Sequence, residues 1–363
     1  MSVPHLSKYP LIFLATLLTF FAAPATDAAA RARTHAPRQK AAPAGQTEAG
    51  VRLFQSGDFK GAIKALRSAF KKNKDDHRAL LYLGHAHMSR GDVKESRKAF
   101  DQLIQALPDS AAARAGLAYL HMLTGNRREA ERESARALEL DKTNVDARYV
   151  IGLIRLDEGA WLKVNEQADA IIKLDPRSAN AYYLKSQAAL GLYNKADAVL
   201  MDGGRGAYPY NAETIREARE AQPLRLLEAA DNLEKYLQLK PNARDAELQR
   251  EQVETLRAYA RTGGNPFKAY KTSELTTKAV ILKKPDPGFT EEARKHGVTG
   301  VVRLRAVLAA DGRVKDILVV KGLRDGLTER CIRAARSIKF QPAQKDGRAV
   351  SQYITLEYNF DIY

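Results

Sequence analysis

The chain has 363 residues, 45% of them hydrophobic and 28% charged, with 59 basic against 43 acidic side chains and a formal net charge of +16. That length allows two or three domains with buried cores, and the composition is that of a globular protein. The single cysteine, Cys331, excludes an intramolecular disulfide and a cysteine-based zinc site.

The charge excess is spread along the chain and forms no basic stripe interleaved with aromatics, so nucleic acid is not an expected partner. Attraction to acidic protein, lipid headgroups or envelope polymers is the milder reading, which leaves membrane proximity open.

The chain opens with Lys8 ahead of a 13-residue apolar run, Leu11 to Ala23, bounded by Pro10 and Pro24. Small-residue sites follow at Ala23-Pro24-Ala25 or Ala28-Ala29-Ala30. A spanning helix needs roughly 20 apolar residues, so residues 1–25 read as a signal peptide that exports the protein to the periplasm. No cysteine follows the run to carry a lipid anchor. Retention of an uncleaved run in the inner membrane is the alternative. Residues 26–44, rich in Ala, Pro, Arg and Lys, read as a basic, disordered linker with almost nothing to bury.

From residue 45 the sequence repeats. Gly57, Gly91, Gly125 and Gly159 stand 34 residues apart. Seven residues before each stands a small residue (Gly50, Gly84, Ala118, Gly152), and five after each stand Ala62, Ser96, Ala130 and Val164. Two antiparallel helices approach closely only where small side chains meet, and a glycine lets the chain turn between them. A period of 34 with two helices per unit resembles the tetratricopeptide repeat and implies an α-helical solenoid over 45–261 with a concave face for an unidentified protein partner.

Beyond Pro176 the register decays. Ala181 to Leu192 reads as the first helix of a fifth unit, followed by a loop through Asp202-Gly203-Gly204-Arg205-Gly206 and Tyr208-Pro209-Tyr210. A helix from Leu224 to Leu239, closed by Pro241, and an amphipathic helix from Ala243 to Ala260 cap the stack. Residues 262–277, with Gly263-Gly264-Asn265-Pro266, read as a linker.

No chemistry stands out. The loop at 203–206 lacks the Gly-Lys-Ser/Thr ending of a phosphate loop and follows no strand. His87 and His121 occupy equivalent positions in adjacent repeats, but no third ligand is in register. His85 and His87 are two apart on a helix and face different ways. No catalytic, cofactor or metal residue is expected, and the protein reads as a non-enzyme.

The end of the chain, 278–363, reads as a small α+β module. Lys284-Pro285-Asp286-Pro287-Gly288-Phe289 leads into a short helix with Thr290 as N-cap and Glu291 and Glu292 in its first turn. Gly297 and Gly300 close it. Val301 to Leu308 and Val314 to Val320 form a hairpin about Asp311-Gly312. A helix follows from Leu327 to Ile338, with Cys331 on its apolar face as a core residue. After Phe340-Gln341-Pro342-Ala343 and the Asp346-Gly347 turn, a last strand runs from Val350 to Phe360. Ile354, Leu356, Tyr358 and Phe360 alternate there with Tyr353, Thr355, Glu357 and Asn359. Two helices on a three-stranded antiparallel sheet covered on one side is the expected fold.

The lead-in, Ala293-Arg294, Gly300, the Asp311-Gly312-Arg313-Val314 turn, Lys339-Phe340-x-Pro342-Ala343 and Gly347 together resemble the C-terminal domain of the TonB energy-transducer family, over about a quarter of the chain. The resemblance implies strand addition of an extended peptide from an outer-membrane TonB-dependent transporter to the last strand. The candidate edge residues are Val350, Gln352, Tyr353, Thr355, Glu357 and Asn359. One departure matters: Leu11 to Ala23 lacks the Ser/His pair of the family's membrane helix, and no proline-rich spacer follows. A transport adaptor is therefore expected rather than a motor-coupled transducer. The alternatives are an accessory transducer held in the inner membrane and a scaffold whose last domain only dimerises.

Overall fold

The computed structural model of the chain describes residues 44–202, 211–243, 245–262 and 269–361. The readings placed on residues 1–43, on the loop at 203–210 and on Gly263-Gly264-Asn265-Pro266 lie outside the described residues.

Eight helices of 12 to 14 residues follow one another: α1 (Ala44–Gln55), α2 (Phe59–Lys72), α3 (His77–Ser89), α4 (Val93–Ala106), α5 (Ala111–Leu123), α6 (Arg127–Leu140), α7 (Val145–Asp157) and α8 (Trp161–Leu174). The repeat glycines are the turns between helices: Gly57, Gly91, Gly125 and Gly159 have φ of 84°, 73°, 78° and 71°. Only a residue without Cβ takes that left-handed conformation freely. Asp58, Asp76 and Ser110 cap the following helices, accepting from the N–H of Gly61, Ala79 and Ala113.

Two compact units divide the described residues, one comprising 44–154 and 173–178 and the other 155–172 and 179–361. In the first, Phe100 on α4 fills the space left by two glycines. A Cβ on Gly84 would lie 2.6 Å from its ring, and one on Gly116 would lie 2.5 Å away. Ser96 donates to the Gly84 carbonyl at 2.8 Å, so the small residues set how closely α3, α4 and α5 approach.

The second unit holds three further helices, α9 (Ala179–Asp202), α10 (Ala212–Leu239) and α11 (Ala246–Arg261). The α-helical repeats thus end in helices longer than a repeat needs. α10 begins twelve residues before Leu224 and carries Pro223 in its interior. Pro223 removes one helical donor, but Gln222, Leu226, Ala229 and Ala230 on its flanks are buried, and packing against α9 keeps the helix continuous.

The same unit continues through β1 (Val280–Lys283), α12 (Glu291–Lys295), β2 (Gly300–Leu308), β3 (Val314–Lys321), α13 (Leu327–Arg336), β4 (Lys339–Gln341), β5 (Ala343–Lys345), β6 (Arg348–Val350) and β7 (Gln352–Phe360). The three-stranded antiparallel sheet has the order β3-β2-β7, with β2 central. β1 pairs with β4 and β5 with β6 as separate two-stranded ribbons. Gly312 (φ 80°) turns the β2–β3 hairpin, while Asp346 and Gly347 (φ 51° and 77°) form the two-residue turn between β5 and β6. Thr290 caps α12 by accepting from the Ala293 N–H at 3.1 Å.

One expectation fails: the sheet is not covered on one side only. Val302, Leu304, Ala306 and Leu308 of β2 face the core with Leu356, Tyr358 and Phe360, as the alternation requires. On the opposite face Arg305, Val307 and Tyr353 are buried as well, because side chains of α9 and α11 pack there.

Candidate strand-docking edge

The two outer strands of the sheet meet different surroundings. Along β3 the outward backbone groups are taken by the protein's own helices. The Gln252 amide of α11 imitates a neighbouring strand, donating to the Ile317 carbonyl at 2.9 Å and accepting from the Val319 N–H at 2.8 Å. The Tyr259 hydroxyl donates to the Asp316 carbonyl at 2.9 Å, and the Asn194 amide of α9 donates to the Val320 carbonyl at 3.3 Å. Such cover is how a sheet edge is kept from pairing with other chains.

A buried ionic cluster fixes these helices to the sheet. Arg305, central on β2, donates to the Tyr193 hydroxyl at 2.5 Å and pairs with the Asp197 carboxylate of α9. The other Asp197 oxygen accepts from the Gln222 amide at 2.8 Å. Burial acts to lower the Arg305 pKa, but Tyr193, Tyr353 and Asp197 outweigh it and hold the guanidinium above its ordinary value.

β7 is the opposite edge. Its register with β2 runs from Gly300↔Phe360 to Leu308↔Gln352. The Tyr353 N–H donates away from β2, to the Tyr270 carbonyl at 3.0 Å, and the Glu357 carbonyl accepts from Lys284 Nζ at 2.7 Å. Backbone direction alternates along an antiparallel strand. Hence Tyr353, Thr355, Glu357 and Asn359 all present N–H and C=O outward, while Gln352, Ile354, Leu356, Tyr358 and Phe360 are the residues whose backbone groups point toward β2.

The candidate residues separate into two groups. Thr355, Glu357 and Asn359 have exposed side chains and lie on the outward-pointing positions. Tyr353 and Gln352 are buried, at 8% and 4% exposure. Tyr353 lies against Tyr259, and Gln352 accepts from the Ala279 N–H at 2.7 Å and donates to Thr272. Val350 belongs to β6, paired with Ala343, and not to β7.

The segment read as a linker takes part in this arrangement. Tyr270 exchanges backbone bonds with Ser351 and Tyr353, and Thr276 and Thr277 bond to Gln344. These contacts fill the start of the β7 edge and leave Thr355 to Asn359 as the stretch with no strand partner among the described residues, where Lys284 holds the Glu357 carbonyl. No local periodicity marks 270–277, which is why sequence reasoning missed it.

His85, His87 and His121 are engaged within the first unit. Arg67 donates to His87 Nε2 at 3.4 Å, which leaves His87 Nδ1–H to donate to Asp92 at 3.2 Å. Arg97 donates to His121 Nε2 at 3.4 Å. His85 is buried among Phe54, Tyr82 and Phe100, and burial pushes its pKa down to about 3. Burial pushes the Cys331 thiol up to about 12, consistent with a core residue and not a reactive one. Among the described residues no group of three His, Cys, Asp or Glu side chains is placed to hold a metal, and no helix is long and apolar enough to cross a membrane.

Residues 47–111 and 91–151 match tetratricopeptide-repeat families, and residues 285–362 match the family described as Gram-negative bacterial TonB protein C-terminal. The chain thus carries tetratricopeptide repeats within 47–151 and a TonB-type C-terminal domain over 285–362. No curated protein matches the chain. Similar solved structures include the crystal structure of MamA, at 21% identity and a TM-score of 0.34, over 53% of this chain and 94% of that one. Another is a thermophilic tetratricopeptide protein of Thermus thermophilus, at 15% identity and 0.44, over 58% and 97%. A third is PilW, a type IV pilus biogenesis factor, at 15% and 0.39, over 58% and 90%.

Proposed function

We propose that the protein is a non-enzymatic adaptor of the cell envelope. Its C-terminal sheet takes up an extended segment of an outer-membrane transporter by strand addition along β7, while the repeats hold a second protein. The asymmetry of the two sheet edges carries this reading: α9 and α11 occupy β3, whereas among the described residues no strand pairs with the outward side of Thr355, Glu357 and Asn359 on β7, where Lys284 Nζ holds the Glu357 carbonyl. Main-chain hydrogen bonds supply the affinity, and the partner's alternate side chains supply specificity. Export by residues 1–25 brings the protein to the compartment where such a partner is met, and mass spectrometry of the native protein is expected to find its N-terminus between Thr26 and Arg31.

The proline variants Thr355→Pro and Glu357→Pro test the binding mode. Each removes an outward donor without removing a backbone hydrogen bond to β2, and a strand edge tolerates proline for that reason; Glu357→Pro also loses the exposed Glu357–Arg303 ion pair. Both variants are expected to fold by circular dichroism and to lose binding of a synthetic peptide copied from the N-terminal segment of a transporter of the same organism. Side-chain changes such as Thr355→Ser and Glu357→Gln are expected to weaken it only modestly. Folded proline variants that bind with unchanged affinity contradict strand addition.

A further inference from the structure

The C-terminal domain carries an apolar patch outside the β7 edge. β1 pairs with β4 and with no other strand, and Val280, Ile281 and Leu282 are 49%, 42% and 62% exposed. Three neighbouring large aliphatic side chains in water are unusual for a strand, whose alternate residues ordinarily face a core. The register breaks between Ile281 and Lys283, so Leu282 sits on a β-bulge that turns it outward.

The surrounding charge has one sign. Lys278, Lys283 and Lys284 flank the aliphatic residues, and Lys339 stands opposite Lys283 on β4. Neither β1 nor β4 contains an acidic residue. A second copy of the chain is a poor occupant: antiparallel pairing about Ile281 would set Lys278 directly against Lys284, and like charges opposite one another destabilise a ladder. An added peptide strand fits badly too, since lysines and a bulge on a short edge strand are the devices that discourage pairing. Aliphatic side chains ringed by lysines whose long stems reach past them suit the boundary between acyl chains and anionic headgroups.

We infer that the β1 ribbon is a docking surface for an anionic phospholipid bilayer, with Ile281 and Leu282 entering the headgroup boundary and Lys278, Lys283 and Lys339 engaging phosphates. Docking there places the domain against a membrane through the ribbon itself.

The test uses the full chain, whose single tryptophan, Trp161, lies outside the patch. In the Leu282→Trp variant, vesicles of equal parts phosphatidylglycerol and phosphatidylcholine are expected to shift the new emission to the blue and to expose it to quenching by brominated lipid. Phosphatidylcholine alone is expected to do neither. Adding Lys278→Gln and Lys283→Gln is expected to weaken partition by about fivefold for each lysine. The inference is overturned if the introduced indole stays water-exposed on anionic vesicles in a variant with wild-type circular dichroism. It is equally overturned if the lysine changes leave partition unaltered, or if the shift arises from raised protein concentration without vesicles, which marks a second copy as the occupant.

Discussion

Arg305 of β2 and Asp197 of α9, 108 positions apart in the chain, form a buried ion pair that joins the last helices of the solenoid to the centre of the C-terminal sheet. Both side chains are about nine-tenths buried, so each charge depends on the other for compensation. The pair, with Gln252 and Tyr259, makes α9 and α11 part of the C-terminal domain's own structure.

Removing one partner leaves the other charge uncompensated. Arg305→Ala is expected to destabilise the unit by about 3–5 kcal/mol in denaturant unfolding. The double variant Arg305→Met with Asp197→Leu is expected to recover most of that loss. A single variant with unchanged stability would place the attachment elsewhere.

The repeat glycines have two separable roles. Gly125 has φ of 78° and nothing within 4 Å of a notional Cβ, so Gly125→Val costs backbone strain of about 1–3 kcal/mol with no crowding. Gly116 sits against Phe100, so Gly116→Ala overpacks the core by about 1–3 kcal/mol. Thermal unfolding should show Phe100→Leu partly rescuing Gly116→Ala and not rescuing Gly125→Val.

His85 gives the repeats an acid limit. Its folded pKa of about 3 lies below the ordinary 6.5, so the unfolded chain binds the proton more readily between those values. Its contribution is fully present above about pH 6.5 and falls as pH drops, by roughly 1.4 kcal/mol per pH unit, until about pH 3. His85→Phe is expected to flatten the dependence of unfolding midpoint on pH between 6 and 4 (about this range follows from the two pKa values). An unchanged slope would assign the acid sensitivity to other groups.

The sequence carried those features that local patterns specify. Glycine spacing located the four positive-φ turns between the repeat helices, and Thr290, Asp311-Gly312 and Asp346-Gly347 marked the cap and turns observed. Alternation in β7 identified Leu356, Tyr358 and Phe360 as core and Thr355, Glu357 and Asn359 as exposed. What escaped depends on distant partners. Tyr353 reads as a solvent-facing strand residue, yet Tyr259 covers it; nothing local to Arg305 signals that Asp197 pairs with it. The helix read from Leu224 starts at Ala212 instead, because burial on both sides of Pro223 outweighs its missing donor. The Tyr270 contact with β7 joins two distant segments that share no periodic signature (Tyr270 accepts from Tyr353, and its N–H donates to Ser351).

Amide hydrogen exchange of β7, with and without the transporter peptide, tests the central claim most directly. In the free protein Leu356 and Tyr358, whose pairs lie on β2, are expected to be protected, while Thr355, Glu357 and Asn359 exchange fast. Saturating peptide is expected to slow those three by about tenfold or more and to leave the β3 amides unchanged. Peptide binding that leaves Thr355, Glu357 and Asn359 exchanging at their free rates would contradict strand addition at this edge.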